Sequence, residues 1–169
     1  MPDFAAEVTA LAQQMVRIDS RSGLSNLAMA VCVEAALCGF AVERLDYTDA
    51  AGVAKRALVA RKGAGRGGLA FSGHMDTVPD TGWQDDPWSG RIDGGVLHGL
   101  GSADMKGQVA AAIVAARHLP EQVPVTLLIT TDEETTKAGA KLVAAKSMLA
   151  REAGLSGIVV GRSEERRVG

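Results

Sequence analysis

The sequence has almost no excess of charge of either sign. Its 169 residues include 18 Lys and Arg against 20 Asp and Glu, which gives a formal net charge of −2. It also lacks a basic stripe interleaved with aromatic residues, and aromatic residues make up only 4% of the chain. Because nucleic-acid surfaces concentrate positive charge, we expect no nucleic-acid partner.

Cysteines and long apolar runs are scarce as well. Cys32 and Cys38 lie six positions apart in a predicted helix, which favours neither a disulfide nor a Cys-x-x-Cys site, and we expect both to be small buried residues. No apolar run has the length that spans a bilayer, and the first residues lack the pattern of a signal peptide. We therefore expect no membrane partner and a cytoplasmic location.

Apolar residues, at 47% of the chain, are as frequent as in ordinary globular domains. Their spacing predicts helices at residues 4–18, 26–38, 108–119 and 138–149. The predicted strands lie at residues 40–47, 57–61, 69–73, 125–130 and 158–160. After Leu69 strands and helices alternate, and strands joined by helices favour parallel pairing in an α/β fold.

A glycine-rich segment at residues 63–68 superficially resembles a phosphate-binding loop. It lies between two predicted strands and opens no helix, whereas phosphate loops place their glycines at a helix start. We therefore interpret it as a hairpin connection.

A histidine and an aspartate, two positions apart, follow the strand at 69–73. Side chains at positions i and i+2 of extended backbone share a face, so His74 and Asp76 should project together. An imidazole binds Zn²⁺ best when a carboxylate holds its second nitrogen. The pair fits a metal ligand with its orienting carboxylate, although a surface turn or a hydrogen-bonded core histidine has the same spacing.

Two further segments place carboxylates near element ends. Asp104 precedes the helix at 108–119, where it could equally be an N-cap. Asp132, Glu133 and Glu134 follow the strand at 125–130, where they could bind a cation, cap the next helix or face water. Because sites in open α/β sheets form beyond the carboxyl ends of the strands, these segments can converge with His74.

The three segments resemble, in order and spacing, the signature segments of the M20 family of co-catalytic metallopeptidases and amidohydrolases. The resemblance covers about residues 4–161. Its motifs are residues 73–79, residues 99–107, and residues 132–135 with Gly139 and Ala140.

The resemblance implies a site for two divalent metal ions, most simply Zn²⁺, with Co²⁺ as the second choice. It implies that His74 binds one ion, Glu134 binds the other and Asp104 bridges the two. Asp76 would orient the His74 ring, Glu133 would be the general base, and a cis peptide bond would follow Asp104. Two cations that share a carboxylate activate water and polarise an amide carbonyl.

The fold that the resemblance implies is a three-layer α/β/α sandwich with a mixed central sheet, of the zinc-exopeptidase type. In the family a further acidic metal ligand comes just after the strand that ends here at Gly161, and a last histidine ligand lies near the C-terminus. A second domain, which often forms a dimer, is inserted after the same strand. We therefore expect residues 1–161 to be the incomplete N-terminal part of a catalytic domain. The longer protein would be a homodimer, and this part alone would be inactive.

The resemblance also implies a small N-acyl amino acid as substrate. Leu100 is similar to the family members that hydrolyse N-acetylornithine to ornithine and acetate in arginine biosynthesis, whereas succinyl-diaminopimelate desuccinylases carry arginine there. A desuccinylase, a dipeptidase or an aminoacylase remains an alternative. Two alternatives of another class are a non-catalytic binding module and a stand-alone small α/β protein.

The last eight residues break the pattern. Residues 162–169, Arg-Ser-Glu-Glu-Arg-Arg-Val-Gly, show no apolar periodicity and match nothing in the resemblance. They look like the translation of a short-read sequencing adapter, and we hypothesise an assembly artefact. A solvated charged tail of a natural protein is the alternative.

Overall fold

The computed structural model describes residues 3–161, and the predicted tail at residues 162–169 lies outside them. The helices are α1 (Phe4–Val16), α2 (Leu27–Ala35), α3 (Gly107–His118), α4 (Ala138–Lys146) and α5 (Met148–Ala153). The strands are β1 (Ala41–Thr48), β2 (Ala54–Lys62), β3 (Leu69–His74), β4 (Ile92–Asp93), β5 (Val96–Leu97), β6 (Val125–Thr130) and β7 (Gly157–Val160). Within this described part, no helix is long and apolar enough to cross a membrane.

Five of the strands form one mixed sheet in the order β1-β2-β6-β3-β7. β2 pairs antiparallel with β1 and with β6, while β3 pairs parallel with β6 and with β7. β4 and β5 form a separate hairpin that turns at Gly94 and Gly95. The predicted mixed sheet is confirmed.

Helices cover both faces of the sheet, as the three-layer prediction requires. On one face α1, α2 and α3 bury Met15, Met29 and Ile113 in a core that also contains Leu127 of β6. On the other face Leu128 contributes to a smaller core that is covered from α4 and α5. Because side chains alternate along a strand, neighbouring residues of β6 serve the two opposite cores.

β6 is buried along its whole length, and this burial decides the strand order. All six of its residues are buried, which is typical of a strand with neighbours on both edges and helices on both faces. It therefore lies between β2 and β3, and the hairpin predicted at residues 63–68 is wrong. That segment instead crosses the start of β6, where Gly68 has φ +83° and a Cβ atom would overlap the carbonyl oxygen of Pro124.

The helix predicted at 138–149 is interrupted at Ser147. The Ser147 hydroxyl accepts a hydrogen bond from the Ala150 N–H at 3.0 Å, which caps α5. It also donates to Glu43 Oε2 of β1 at 2.6 Å. The break thus depends on a partner that is distant in sequence.

The two cysteines are free, but only Cys32 is partly buried. Since α2 ends at Ala35, Cys38 lies beyond the helix and is exposed. The expectation that both are buried is wrong for Cys38.

The parallel pairing of β3 with β6 brings their carboxyl ends to the same edge of the sheet. His74, the last residue of β3, lies opposite Thr130, the last residue of β6. The Met75 N–H then donates to the Thr130 carbonyl oxygen at 2.9 Å. The segments that follow the two strands, residues 75–79 and 131–137, therefore start side by side.

α4 packs closely against the end of β6 at Gly139. A Cβ atom at this position would lie 2.6 Å from the carbonyl oxygen and 2.9 Å from the amide nitrogen of Thr131. We expect Gly139→Ala to lower the free energy of unfolding by about 1–3 kcal/mol, because overpacking against backbone outweighs the gain in helix propensity. Urea denaturation of the chain measures the change.

Ala145→Gly, on an exposed position of the same helix, is the control for helix propensity and should cost at most about 1 kcal/mol. A Gly139→Ala chain that is as stable as the wild type or more stable would contradict the close approach.

Candidate metal centre

His74 lies at the centre of the site at the carboxyl ends of β3 and β6. Its ring is buried, and its Nδ1 lies 3.0 Å from the carbonyl oxygen of Asp76 and 3.4 Å from Asp76 Oδ1. Its Nε2 faces Asp104 Oδ1 at 3.3 Å. With the proton on Nδ1, Asp76 fixes the ring and leaves Nε2 directed at the other carboxylates, as a metal ligand requires.

The charge of His74 reflects this acidic setting. Burial disfavours the imidazolium, but the hydrogen bonds and charges of Asp76 and the nearby Asp104 outweigh burial and raise the pKa of His74 to about 9. A cation that binds Nε2 must therefore displace a proton.

Asp76 has a second role that the sequence did not suggest. Its carboxylate is buried and accepts hydrogen bonds from the Glu133 N–H at 3.2 Å and the Glu134 N–H at 3.1 Å. The Ser22 hydroxyl donates to it at 3.2 Å. Burial raises the pKa of Asp76, but the hydrogen bonds from His74 and the two amides outweigh burial and hold it below its usual value.

The first of the three consecutive acidic residues points away from the other two. Asp132 has φ +60° and turns away from His74 into the protein, where Lys55 Nζ lies 3.0 Å from its Oδ1 and the Tyr47 hydroxyl donates to its Oδ2 at 2.8 Å. Glu133 remains near His74, and its Oε1 accepts a hydrogen bond from Lys137 Nζ at 2.6 Å. The negative charges of Asp132 and Glu133 are thus offset by two separate lysines.

Sequence reasoning missed Lys55 and Tyr47. One signal was available, because Lys55 lies on the same face of β2 as Ala57 and Val59, and that face packs against a core. A lysine at such a position needs a buried anion, although nothing in the sequence says which.

His74, Glu133 and Glu134 form a tight group. One ligand atom from each of the three lies within 4.8 Å of the others. Burial raises the pKa of Glu134, as do the nearby carboxylates of Asp104 and Asp76, against the opposing effect of His74. Crowded carboxylates around one imidazole favour a bound cation.

Asp104 contacts one member of this group, His74. It belongs to the irregular turn Ser102–Lys106, and the implied cis peptide bond between Asp104 and Met105 is confirmed. α3 begins at Gly107 without a side-chain cap, so Asp104 is not its N-cap. Its side chain is 43% exposed and remains open to a ligand.

The donor set fits a divalent metal ion. One imidazole nitrogen and several carboxylate oxygens are ligands that Zn²⁺ accepts, and Asp76 supplies the carboxylate behind the imidazole. His74, Asp104, Glu133 and Glu134 line an open cavity of about 290 Å³ between β3, β6 and the turn at Asp104. The structure therefore brings His74, Asp76, Asp104, Glu133 and Glu134 together at one edge of the sheet.

Known proteins share both the sequence pattern and the fold. The family model of "Peptidase family M20/M25/M40" matches residues 70–167. A curated protein named succinyl-diaminopimelate desuccinylase, from Xanthobacter autotrophicus (strain ATCC BAA-1158 / Py2), is 40% identical over 133 residues. That match covers 74% of this chain and 35% of the relative, so the chain spans about a third of that protein's length.

Two solved structures share the fold at lower identity. Human carnosine dipeptidase 1 superposes with a TM-score of 0.78 at 23% identity, over 94% of this chain and 39% of that chain. The dipeptidase Dug1p from Saccharomyces cerevisiae gives a TM-score of 0.68 at 17% identity, over 96% of this chain and 38% of that chain.

The role of Asp76 in joining the two segments can be tested by its effect on stability. Asp76→Ala leaves the amides of Glu133 and Glu134 without their acceptor and His74 without its carboxylate. We expect it to lower the free energy of unfolding by about 3–5 kcal/mol, as for a broken buried charge pair. Urea denaturation measures the loss.

Ser22→Ala is the matched control, because it removes only the hydroxyl donor to the same carboxylate. It should cost about 0.5–1.5 kcal/mol. Equal losses for the two variants would show that Asp76 does not join the two segments.

Proposed function

The chain belongs to peptidase family M20/M25/M40, and on that premise we propose that the longer protein is a metal-dependent amidohydrolase that cleaves an N-acyl amino acid. One observation carries the proposal. His74, Glu133 and Glu134 bring ligand atoms within 4.8 Å of one another at the edge of the sheet where Asp104 also faces His74.

The proposed ligands are His74, Asp104 and Glu134, with Asp104 shared between two divalent ions. Zn²⁺ is the first choice and Co²⁺ the second. A divalent ion in this position would polarise the amide carbonyl and make an attacking water more acidic. Asp76 holds the His74 ring so that Nε2 stays directed at the site.

Glu133 is proposed as the general base. Its carboxylate takes a proton from the attacking water as the new carbon–oxygen bond forms, and returns it to the amine nitrogen as the carbon–nitrogen bond breaks. The products are a carboxylic acid and an amine. Its partner Lys137 lines the same cavity and keeps the Glu133 carboxylate next to His74.

Two substrates are the leading candidates. N-acetylornithine follows from the similarity at Leu100, and N-succinyl-diaminopimelate follows from the name of the 40% identical relative. We keep N-acetylornithine as the first proposal. Release of acetate or succinate by the longer protein, assayed on both compounds side by side, decides between them.

The boundary at Gly161 also stays a proposal. The family match continues to residue 167, beyond the proposed start of the tail. Independent sequencing of the gene that confirms the codons for residues 162–169 would rule out the assembly artefact.

We expect the chain itself to bind Zn²⁺ through His74. Calorimetric titration should show that His74→Ala weakens binding by at least about 100-fold, because the variant removes an imidazole ligand. His118→Ala is the control, since His118 lies on α3 and contacts Glu7 of α1 at 3.0 Å. A His74→Ala chain that binds Zn²⁺ as tightly as the wild type would contradict this ligand, and a longer protein that binds no Zn²⁺ would favour the non-catalytic alternative.

In the longer protein, the two glutamates should separate catalysis from metal binding. Glu133→Ala should lower kcat by about 10²–10⁴-fold with nearly unchanged metal content, because a general base is not a ligand. Glu134→Ala should lower both. Metal analysis alongside turnover gives the answer, and the reverse pattern would exchange the two roles.

A further inference from the structure

A buried polar cluster lies directly behind the proposed site and has no part in the proposed chemistry. It consists of Tyr47 on β1, Lys55 on β2 and Asp132, and we call it the Asp132 cluster. The Lys55 side chain is 1% exposed, and its Nζ lies 3.0 Å from Asp132 Oδ1 and 2.8 Å from the carbonyl oxygen of Leu24. The Tyr47 hydroxyl donates to Asp132 Oδ2 at 2.8 Å.

The cluster fixes an unusual backbone conformation. Asp132 has φ +60°, a left-handed conformation that residues with a side chain seldom adopt. Both oxygens of its carboxylate are held by the cluster, and its carbonyl oxygen accepts the Lys137 N–H at 2.6 Å. The chain therefore turns sharply at Asp132, in one direction only.

This turn decides where the next two residues go. Immediately after it, the Glu133 and Glu134 N–H groups donate to Asp76, and the two carboxylates lie beside His74. If Asp132 adopted ordinary extended backbone instead, its own carboxylate could turn toward the site and the two amides would lose their alignment.

Stability alone does not account for the cluster. A buried ion pair adds little net stability compared with apolar residues of similar size, because both charges lose their hydration. What such a pair does provide is one preferred arrangement. Lys55 Nζ also lies 3.8 Å from Asp49 Oδ2, but among the described residues the buried Asp132 carboxylate is paired with Lys55 alone, and any other arrangement leaves that carboxylate without a cation. Here the preferred arrangement is the one that directs Asp132 inward and the two glutamates outward.

We propose that Lys55 and Tyr47 are positioning residues, which hold Asp132 in its left-handed turn so that Glu133 and Glu134 are presented to His74. The importance of this positioning for catalysis rests on the proposed function. Its geometry can be tested without a metal ion.

The test is amide hydrogen exchange, followed by NMR on the metal-free 169-residue chain. The variants are Tyr47→Phe and the charge-balanced double variant Lys55→Met with Asp132→Asn. The control is Arg56→Met, which breaks the exposed pair of Arg56 with Asp46 between the same two strands without touching Asp132.

We expect the Glu133 and Glu134 amides to exchange at least about tenfold faster in both cluster variants, because Tyr47→Phe removes one hydrogen bond to Asp132 and the double variant removes the Lys55 ion pair. Amides in the middle of β6 should keep their rates, and the control should change neither set. Unchanged rates at Glu133 and Glu134, or an equal increase throughout the sheet, would overturn the proposal. If the double variant does not fold, Tyr47→Phe decides.

Zn²⁺ titration of the same proteins separates the two proposals. If the wild-type chain binds Zn²⁺, Tyr47→Phe should weaken binding about tenfold while Arg56→Met leaves it unchanged, and equal affinities would overturn the positioning role. If the wild-type chain binds none, metal-dependent turnover by the longer protein decides the proposed function, and the exchange rates alone decide whether Lys55 and Tyr47 position the two glutamates.

Discussion

The buried carboxylate of Asp76 joins the two strand ends on which the site is built. One side of it faces the His74 ring at the end of β3, and the other accepts the amides of Glu133 and Glu134 beyond β6. Each of these groups is correctly placed only while the others are present. The site is therefore a single hydrogen-bonded unit that spans two segments, rather than a set of separate ligands on a scaffold.

Much of this arrangement could be predicted from local sequence. His74 and Asp76 lie two positions apart on extended backbone, and the acidic run follows an apolar strand. Each of these patterns marks the end of a strand without knowledge of the fold. The mixed sheet, the two helical layers and the cis bond at Asp104 followed from the resemblance. These features depend on short segments whose residue types limit the possible structures.

The rest depends on partners that are distant in sequence. The position of β6 between β2 and β3 follows from burial on both edges, which no local pattern at residues 63–68 reveals. The break at Ser147 needs Glu43 on β1, and the turn at Asp132 needs Lys55 and Tyr47 from the first hairpin of the sheet. Sequence patterns indicated the residues that the structure brings together at the edge of the sheet better than the residues that hold them there.

The parallel pairing of β3 with β6 also has a consequence for the order of folding. Leu69 pairs with Val125 and His74 with Thr130, so the two halves of the site are joined through a long intervening segment. Closing such a loop has an entropic cost that local helices do not bear, and non-local strand pairing is correspondingly slow. During synthesis His74, Asp76 and Asp104 are all made before Glu134, and the two sides of the candidate site can meet only once β6 has been made and has paired with β3.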